Sequence, residues 1–366
     1  MPSVAAQALR LAGVQDKLGH TTYFIGAKGS RVDGRKFYET SNPPSDDHSE
    51  GAEAAYYREV MQKAQALGVD VIDNHIDQVR AHWPALYGPI PVVHTVDIAV
   101  KPEFLASRDT AQTKQPLAIN VNWVSRRQKE ISGGKPQDSL VYHGVDSNRY
   151  CLGDPKKRTE DLLYVGRIVP EKGVHHAIKV AKELGLSLDI VGPKVDEAYF
   201  KTQIAPYLTD KIRYLGPKTP AETVPLYQTH RVFANPIEVD EAFGLTMAEA
   251  PLSGCPVVVF NRGSAPELIT NGKNGYVVPP GDFDAYKAAI KQAMALDPAA
   301  ARQESLRFSS ENSAKNFINR YQQVINQHTA EVSTNPDAGE LPAKDWTRQS
   351  SRKTPQTDFQ EKLSAR

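Results

Sequence analysis

The chain has 366 residues, enough for two domains that each bury a core of their own. Its 44 Lys and Arg against 43 Asp and Glu leave a formal charge of +1, which excludes the broad basic excess of a general nucleic-acid binder. No apolar run approaches the ~20 residues that cross a bilayer, the amino terminus has no signal-peptide pattern, and the two cysteines, Cys151 and Cys255, have neither disulfide-framework nor metal-ligand spacing. A reducing, cytoplasmic setting is the economical expectation, with a local contact to membrane lipid left open.

In chain order, AAQALRLAGVQDKLGH predicts a helix ended by Gly19, and TTYFIGA (21–27) a strand. Residues 28–51 hold Gly, Pro, Ser and Asp without periodicity and predict a loop. AAYYREVMQKAQALG (54–68) predicts a helix stopped by Gly68, then VDVIDNH (69–75), PVVHTV (91–96) and LAINVNWVS (117–125) predict short strands, and SRRQKEI a helix start. From residue 159 the alternation is regular. Strands are expected at 161–167, 186–192, 211–216, 231–236 and 256–260, with helices at 174–185 and around LTMAEAPLSG (245–254). Strands that are apolar throughout and separated by helices imply a parallel sheet covered on both faces. Two such blocks joined near 147–160 imply two α/β domains facing a cleft: residues 1–155, then 156–328 ending in an amphipathic helix at 311–327 that can pack back on the first block. Residues 329–366 carry mixed charge, Ser, Thr and Pro, and are expected to be a disordered tail.

The strongest chemical signal is EAFGLTMAEA (241–250), with Glu241 eight positions before Glu249 at a loop-to-helix junction after a parallel strand. Ligands of doubly wound sheets bind at that edge. Gly244 allows close backbone approach, and the free N–H groups of a helix start attract anions. DLLYVGRIVPEKG (161–173) adds Arg167 and Lys172 at the same edge, a planar fork and a mobile point charge that both suit a diphosphate.

VGRIVPEKG, the YLG at 214–216, LYQTHRVFANP, EAFGLTMAEA, GCPVV and APELITNGKNGYVV resemble, in order and spacing over about 159–325, the family 4 glycosyltransferases, retaining enzymes of the two-domain fold called GT-B. The resemblance implies that Arg167 and Lys172 bind the donor diphosphate. It implies that Glu241 reaches hydroxyls of the transferred sugar beside the backbone of Phe243, Gly244 and Leu245, and that Glu249 holds the ribose. In the first half GVDVIDNH, PVVHTVD, INVNWVSRRQKEI and LVYHGVDSNRY resemble the family more weakly. Two departures stand out: the opening strand and Gly-rich loop of the family have no counterpart here, and where the family often has a His reaching the donor sugar this chain has Asp97, with His94 three residues earlier. His94 and Asp97 are both candidates for that role. His75, Ser125, and His143 with Asp146 are weaker candidates at strand ends, equally readable as caps or turn residues, with Asp146 read mainly as structural.

The resemblance implies transfer of a sugar from a nucleotide diphosphate donor, most often a UDP-hexose, to an acceptor hydroxyl of unknown identity with retention, no metal being required. Two alternatives stay open: a degenerate chain that binds nucleotide sugar without turnover, and a GT-B nucleotide-sugar epimerase. No G-x-G-x-x-G follows a strand, which argues against a nicotinamide dehydrogenase.

Overall fold

A computed structural model describes residues 4–26, 37–41, 50–76, 88–98 and 117–335, with residues 100, 108 and 112. Of the disordered tail expected at 329–366, residues 329–334 are instead the end of a helix, and 336–366 lie outside these residues, as does most of the loop expected at 28–51.

The chain opens with α1 (Val4–Lys17), β1 (Phe24–Gly26), β2 (Phe37–Glu39), α2 (Glu50–Ala66), β3 (Ile72–Ile76), β4 (Val92–Val96), β5 (Asn120–Trp123), α3 (Arg126–Ile131) and β6 (Ser139–Leu140). Strands β3 to β6 form a parallel sheet in sequential order, and β1 pairs with β2 in a separate parallel ribbon. Among the described residues nothing pairs with the outer edge of β3. A cavity of about 990 Å3 lies along that edge, lined also by α1, β1 and α2.

The second domain continues with β7 (Glu160–Val165), α4 (Val174–Leu184), β8 (Leu188–Val191), β9 (Ile212–Gly216), α5 (Pro220–Thr229), β10 (His230–Asn235), α6 (Leu245–Leu252), β11 (Val257–Phe260), α7 (Ala265–Leu268), β12 (Gly275–Val278), α8 (Phe283–Ala293), α9 (Pro298–Ser305) and α10 (Ser310–Thr334). Its six parallel strands run in the order β12-β11-β10-β7-β8-β9. Their continuous apolar sequences follow from burial on both faces. Leu162, Tyr164, Val232, Ala234, Val258 and Phe260 enter one core with α4 and α8. The alternate residues Leu163, Phe233, Val257 and Val259 enter a second core with α6. Each fully buried side chain of this size contributes roughly 1.5–3 kcal/mol.

The order is that of a doubly wound sheet, and the direction of winding reverses between β7 and β10. Their carboxyl ends therefore splay the loops at 166–173 and 236–244 around one crevice. Gly173 fixes the approach of these loops. Its φ is +72°, and a Cβ there would lie 1.9 Å from the Pro236 carbonyl oxygen. Gly185 has nearly the same backbone, φ +70°, with nothing within 4 Å of a Cβ. Gly173→Ala is therefore expected to lower unfolding free energy by more than Gly185→Ala, whose cost is the left-handed backbone alone, roughly 1–3 kcal/mol. Parallel urea titrations check this; equal losses would mean that the contact with Pro236 is yielding.

Helix α10 runs past the 328 boundary to Thr334 and crosses to the first domain. Arg320 donates to the Asn120 side chain, Tyr321 to Asp73, and Glu331 accepts from the Ala118 N–H. Helices α5, α8 and α9 and strand β12 are not among the elements expected above. Helix α5 contains Pro225 yet starts from a capping box made by Thr219 and Glu222.

Candidate active site

The crevice at the β7/β10 switch point brings Arg167, Lys172, Glu241, Phe243, Gly244 and Leu245 together. Tyr164 donates its hydroxyl to the Arg167 carbonyl and Ile168 N–H bonds the Pro193 carbonyl, which pins the first loop. Lys172, 13% exposed, is paired with Glu241 of the second loop. Arg167 is half-exposed and only 3.8 Å from Glu171 of its own loop, a solvated pair that contributes little. Its guanidinium is thus available to a ligand.

The second loop is anchored from behind. Gly263 N–H donates to Asp240, Ser264 N–H to the Glu241 carbonyl, and Ser264 Oγ to the Phe243 carbonyl. Phe243 is buried, its ring against Tyr142, His143 and Phe308. Gly244, at φ +79°, is the N-cap of α6 with no side-chain capping bond. The first N–H groups of α6 have no acceptor within the helix.

Glu249 is the one charged residue of LTMAEAPL and is 4% exposed. Burial raises its carboxyl above the usual range; Tyr150, Arg10 and Tyr227 offset part of that. The Tyr227 hydroxyl lies 3.5 Å from Oε2, while Oε1 has no hydrogen-bonding partner among the described residues. Tyr150 and Tyr227 lie inside the stretches LVYHGVDSNRY and LYQTHRVFANP, but nothing in those stretches marks them as neighbours of Glu249.

On the facing domain, the ends of β3 and β4 build a charged cluster. Asp97, 2% exposed, lies 2.9 Å from His75 Nδ1 and 3.0 Å from His143 Nε2. His75 Nε2 is 3.3 Å from Asp73, which also accepts from Thr95 and Tyr321. Burial pulls the His75 pKa down, but Asp73 and Asp97 outweigh it and hold the imidazole protonated well above its ordinary value. Asp97 is lowered despite burial, by its two histidines. His143 thus pairs with Asp97 and meets the 236–244 loop through Phe243, whereas Asp146 accepts from the N–H groups of Asn148 and Arg149 as a turn residue. His94 stands apart from the cluster. It is buried within β4 beside Asn74, and desolvation pushes its pKa down to about 3, so it is neutral. Ser125 is the N-cap of α3, accepting from Gln128 N–H.

The His75 pKa has a consequence for stability. Because the folded value is raised, its contribution is complete below the unfolded value near 6.5 and is lost as pH rises through the folded value. The stability difference between the wild type and His75→Gln is therefore expected to shrink as pH rises above about 6.5. Urea titrations across that range check it; a difference that grows with pH would contradict a protonated His75.

Two groups of possible metal ligands come together among the described residues: Glu160–Asp189–His230, and His175–His176–Glu238. Asp189 of the first is already bound to Arg213 and His230, and neither group includes Arg167, Lys172, Glu241 or Glu249. No helix among the described residues is long and apolar enough to cross a membrane.

Two facing α/β domains, with a cation-lined crevice at the switch point of the second, define a GT-B glycosyltransferase architecture. The glycosyltransferase from Rickettsia africae superposes with TM-score 0.72 at 17% identity, over 89% of this chain and 96% of that one. HepE of Anabaena, crystallised with UDP and glucose, superposes with TM-score 0.67 at 20% identity, over 88% and 96%. Residues 153–309 match the family described as glycosyl transferases group 1. Among curated proteins, the glycogen synthase of Mycobacterium tuberculosis is 30% identical over 264 residues, covering 64% of this chain and 62% of that protein. The D-inositol 3-phosphate glycosyltransferase of Corynebacterium urealyticum is 34% identical over 199 residues, covering 49% and 46%. The matched stretch thus spans less than two thirds of either curated relative.

Proposed function

We propose that the chain transfers a hexose from a nucleoside diphosphate donor, with UDP as the carrier, to an acceptor hydroxyl with retention at the anomeric carbon. The observation that carries this reading is the convergence of Arg167, Lys172 and the uncapped start of α6 on one crevice, flanked by Glu241 and Glu249. As the sugar–phosphate bond breaks, positive charge develops on the sugar and negative charge on the departing diphosphate. Lys172, Arg167 and the α6 N–H groups stabilise the second, a fixed electrostatic environment that requires no proton transfer from the protein. Glu241 accepts from hydroxyls of the transferred sugar and Glu249 from the ribose. The Asp97 cluster faces the sugar from the other domain, with His143 against Phe243 and Asp97 holding the imidazole in place. The UDP assignment is supported by the family resemblance and by the ligand of the Anabaena neighbour.

Because two cations meet the diphosphate, turnover is expected without added divalent ions. The test is calorimetric titration with UDP, UDP-glucose, UDP-N-acetylglucosamine and GDP-mannose, followed by donor turnover with and without EDTA. Tight binding of one nucleotide with turnover in EDTA is the expected result. Binding with no turnover would favour a chain that holds nucleotide sugar without reacting it. Loss of turnover in EDTA, restored by magnesium or manganese, would overturn the metal-free reading.

A further inference from the structure

Glu267 belongs to the donor domain, yet its carboxylate is engaged entirely by groups across the cleft. Oε2 accepts from the Arg126 N–H at 2.8 Å and the Tyr142 hydroxyl at 2.7 Å, and Oε1 from the Arg127 N–H at 2.8 Å. Arg126 and Arg127 open α3, where backbone donors have no acceptor inside the helix. Helix α3 in turn grips β4: Gln128 Nε2 donates to the carbonyls of Val96 and Ile98, the two residues that flank Asp97. On its other side Glu267 is three residues from Ser264, which bonds the Glu241 and Phe243 carbonyls. Arg307 bonds the Glu267 carbonyl and steadies the segment. A continuous set of hydrogen bonds therefore runs from the donor loop through Ser264 and Glu267 to α3 and the backbone around Asp97.

We propose that Glu267 is a positioning residue that sets the registration of the Asp97 cluster against the donor loop across the cleft. It touches no donor atom. Its carboxylate supplies two well-placed acceptor oxygens to three donors, and no other side-chain chemistry does so: a Gln at this position has one acceptor oxygen and would turn an N–H toward an N–H. The inference rests on the proposed transferase reading only for its effect on turnover; the registration itself is independent of it.

The experiment compares Glu267→Gln and Glu267→Ala with wild type in three readouts. Spin labels on Glu130→Cys and Lys273→Cys, in a Cys151→Ser background, report the distance between α3 and the donor domain; Cys151 is the exposed cysteine and Cys255 is buried. The expected result is a broader or longer distance distribution in both variants, with UDP affinity within about threefold of wild type because the nucleotide contacts lie elsewhere. Turnover is expected to fall by about 10- to 100-fold, chiefly in kcat, as misplacement of one reacting side by about 1 Å would cause. An unchanged distance distribution in the folded Glu267→Gln protein would overturn the proposal. So would a loss of UDP affinity equal to the loss in kcat, which would make Glu267 part of the nucleotide site. If the wild type turned over no donor, the distance and affinity readouts would still decide the point, so the two readings fail separately.

Discussion

Lys172→Ala is expected to lower kcat for donor turnover by about 10²–10³-fold, the scale on which removal of one fixed charge-stabilising donor acts. The ammonium is largely buried and pairs with Glu241 of the facing loop. Its position is set by Gly173, which no side chain can replace without striking Pro236. A diphosphate entering the crevice would share Lys172 with Glu241, and as the bond breaks its extra negative charge would draw the ammonium more strongly. The interaction grows toward the transition state, so the loss belongs mainly in kcat rather than in donor KM. Removing the lysine also leaves the Glu241 carboxylate facing the diphosphate without a counter-charge, which adds repulsion. Arg167→Ala is expected to cost less, because Arg167 is half-exposed and its contribution is screened. Initial rates over a range of donor concentration separate the two parameters. An unchanged kcat in Lys172→Ala would remove the diphosphate from this crevice.

Much of the second domain was legible in the sequence because its strands are buried on both faces and so read as unbroken apolar runs between helices. The loops that matter, 166–173 and 236–244, are also local: Arg167 and Lys172 stand a few residues after one strand, and Glu241 and Gly244 a few after another. What the sequence could not pair were contacts set by tertiary geometry. His75 stands opposite Thr95 near the end of β3, and Asp97 directly follows β4, so the two meet, yet they lie 22 residues apart in the chain. Asp146, readable in the sequence mainly as a structural residue, is committed to its own turn, while His143 reaches Asp97, which no local spacing encodes. Tyr150 and Tyr227 approach Glu249 from separate parts of the fold, and Glu267 sat inside a recognised motif whose reach across the cleft no local pattern encodes. Helix α10 extends beyond 311–327 because Glu331 accepts from the Ala118 N–H and Val332 packs on the first-domain core, while Gln, Asn, His and Thr dilute its apolar stripe in sequence.

Glu249→Ala is expected to weaken UDP binding by about 10- to 100-fold while leaving thermal stability unchanged or higher, and the opposite signs are the informative part. A carboxylate hydrogen-bonded to a ligand contributes about 1.5–3 kcal/mol. In the free protein the same group is a liability. It sits 4% exposed on an otherwise apolar helix, burial raises its pKa, and Oε1 has no partner among the described residues. Removing a buried and incompletely satisfied carboxyl takes away a desolvation cost; the small cavity left beside Tyr227 offsets part of the gain. A carboxylate retained for packing would behave in reverse, its loss destabilising the fold and leaving nucleotide affinity alone. Glu249→Gln separates charge from shape, since it preserves the volume and one acceptor oxygen; an intermediate affinity would assign the remainder to the negative charge facing the ribose hydroxyls. Calorimetry with UDP and a thermal melt of each variant give both signs in one series, and a fall in melting temperature with unchanged UDP affinity would place Glu249 in the core rather than in the site.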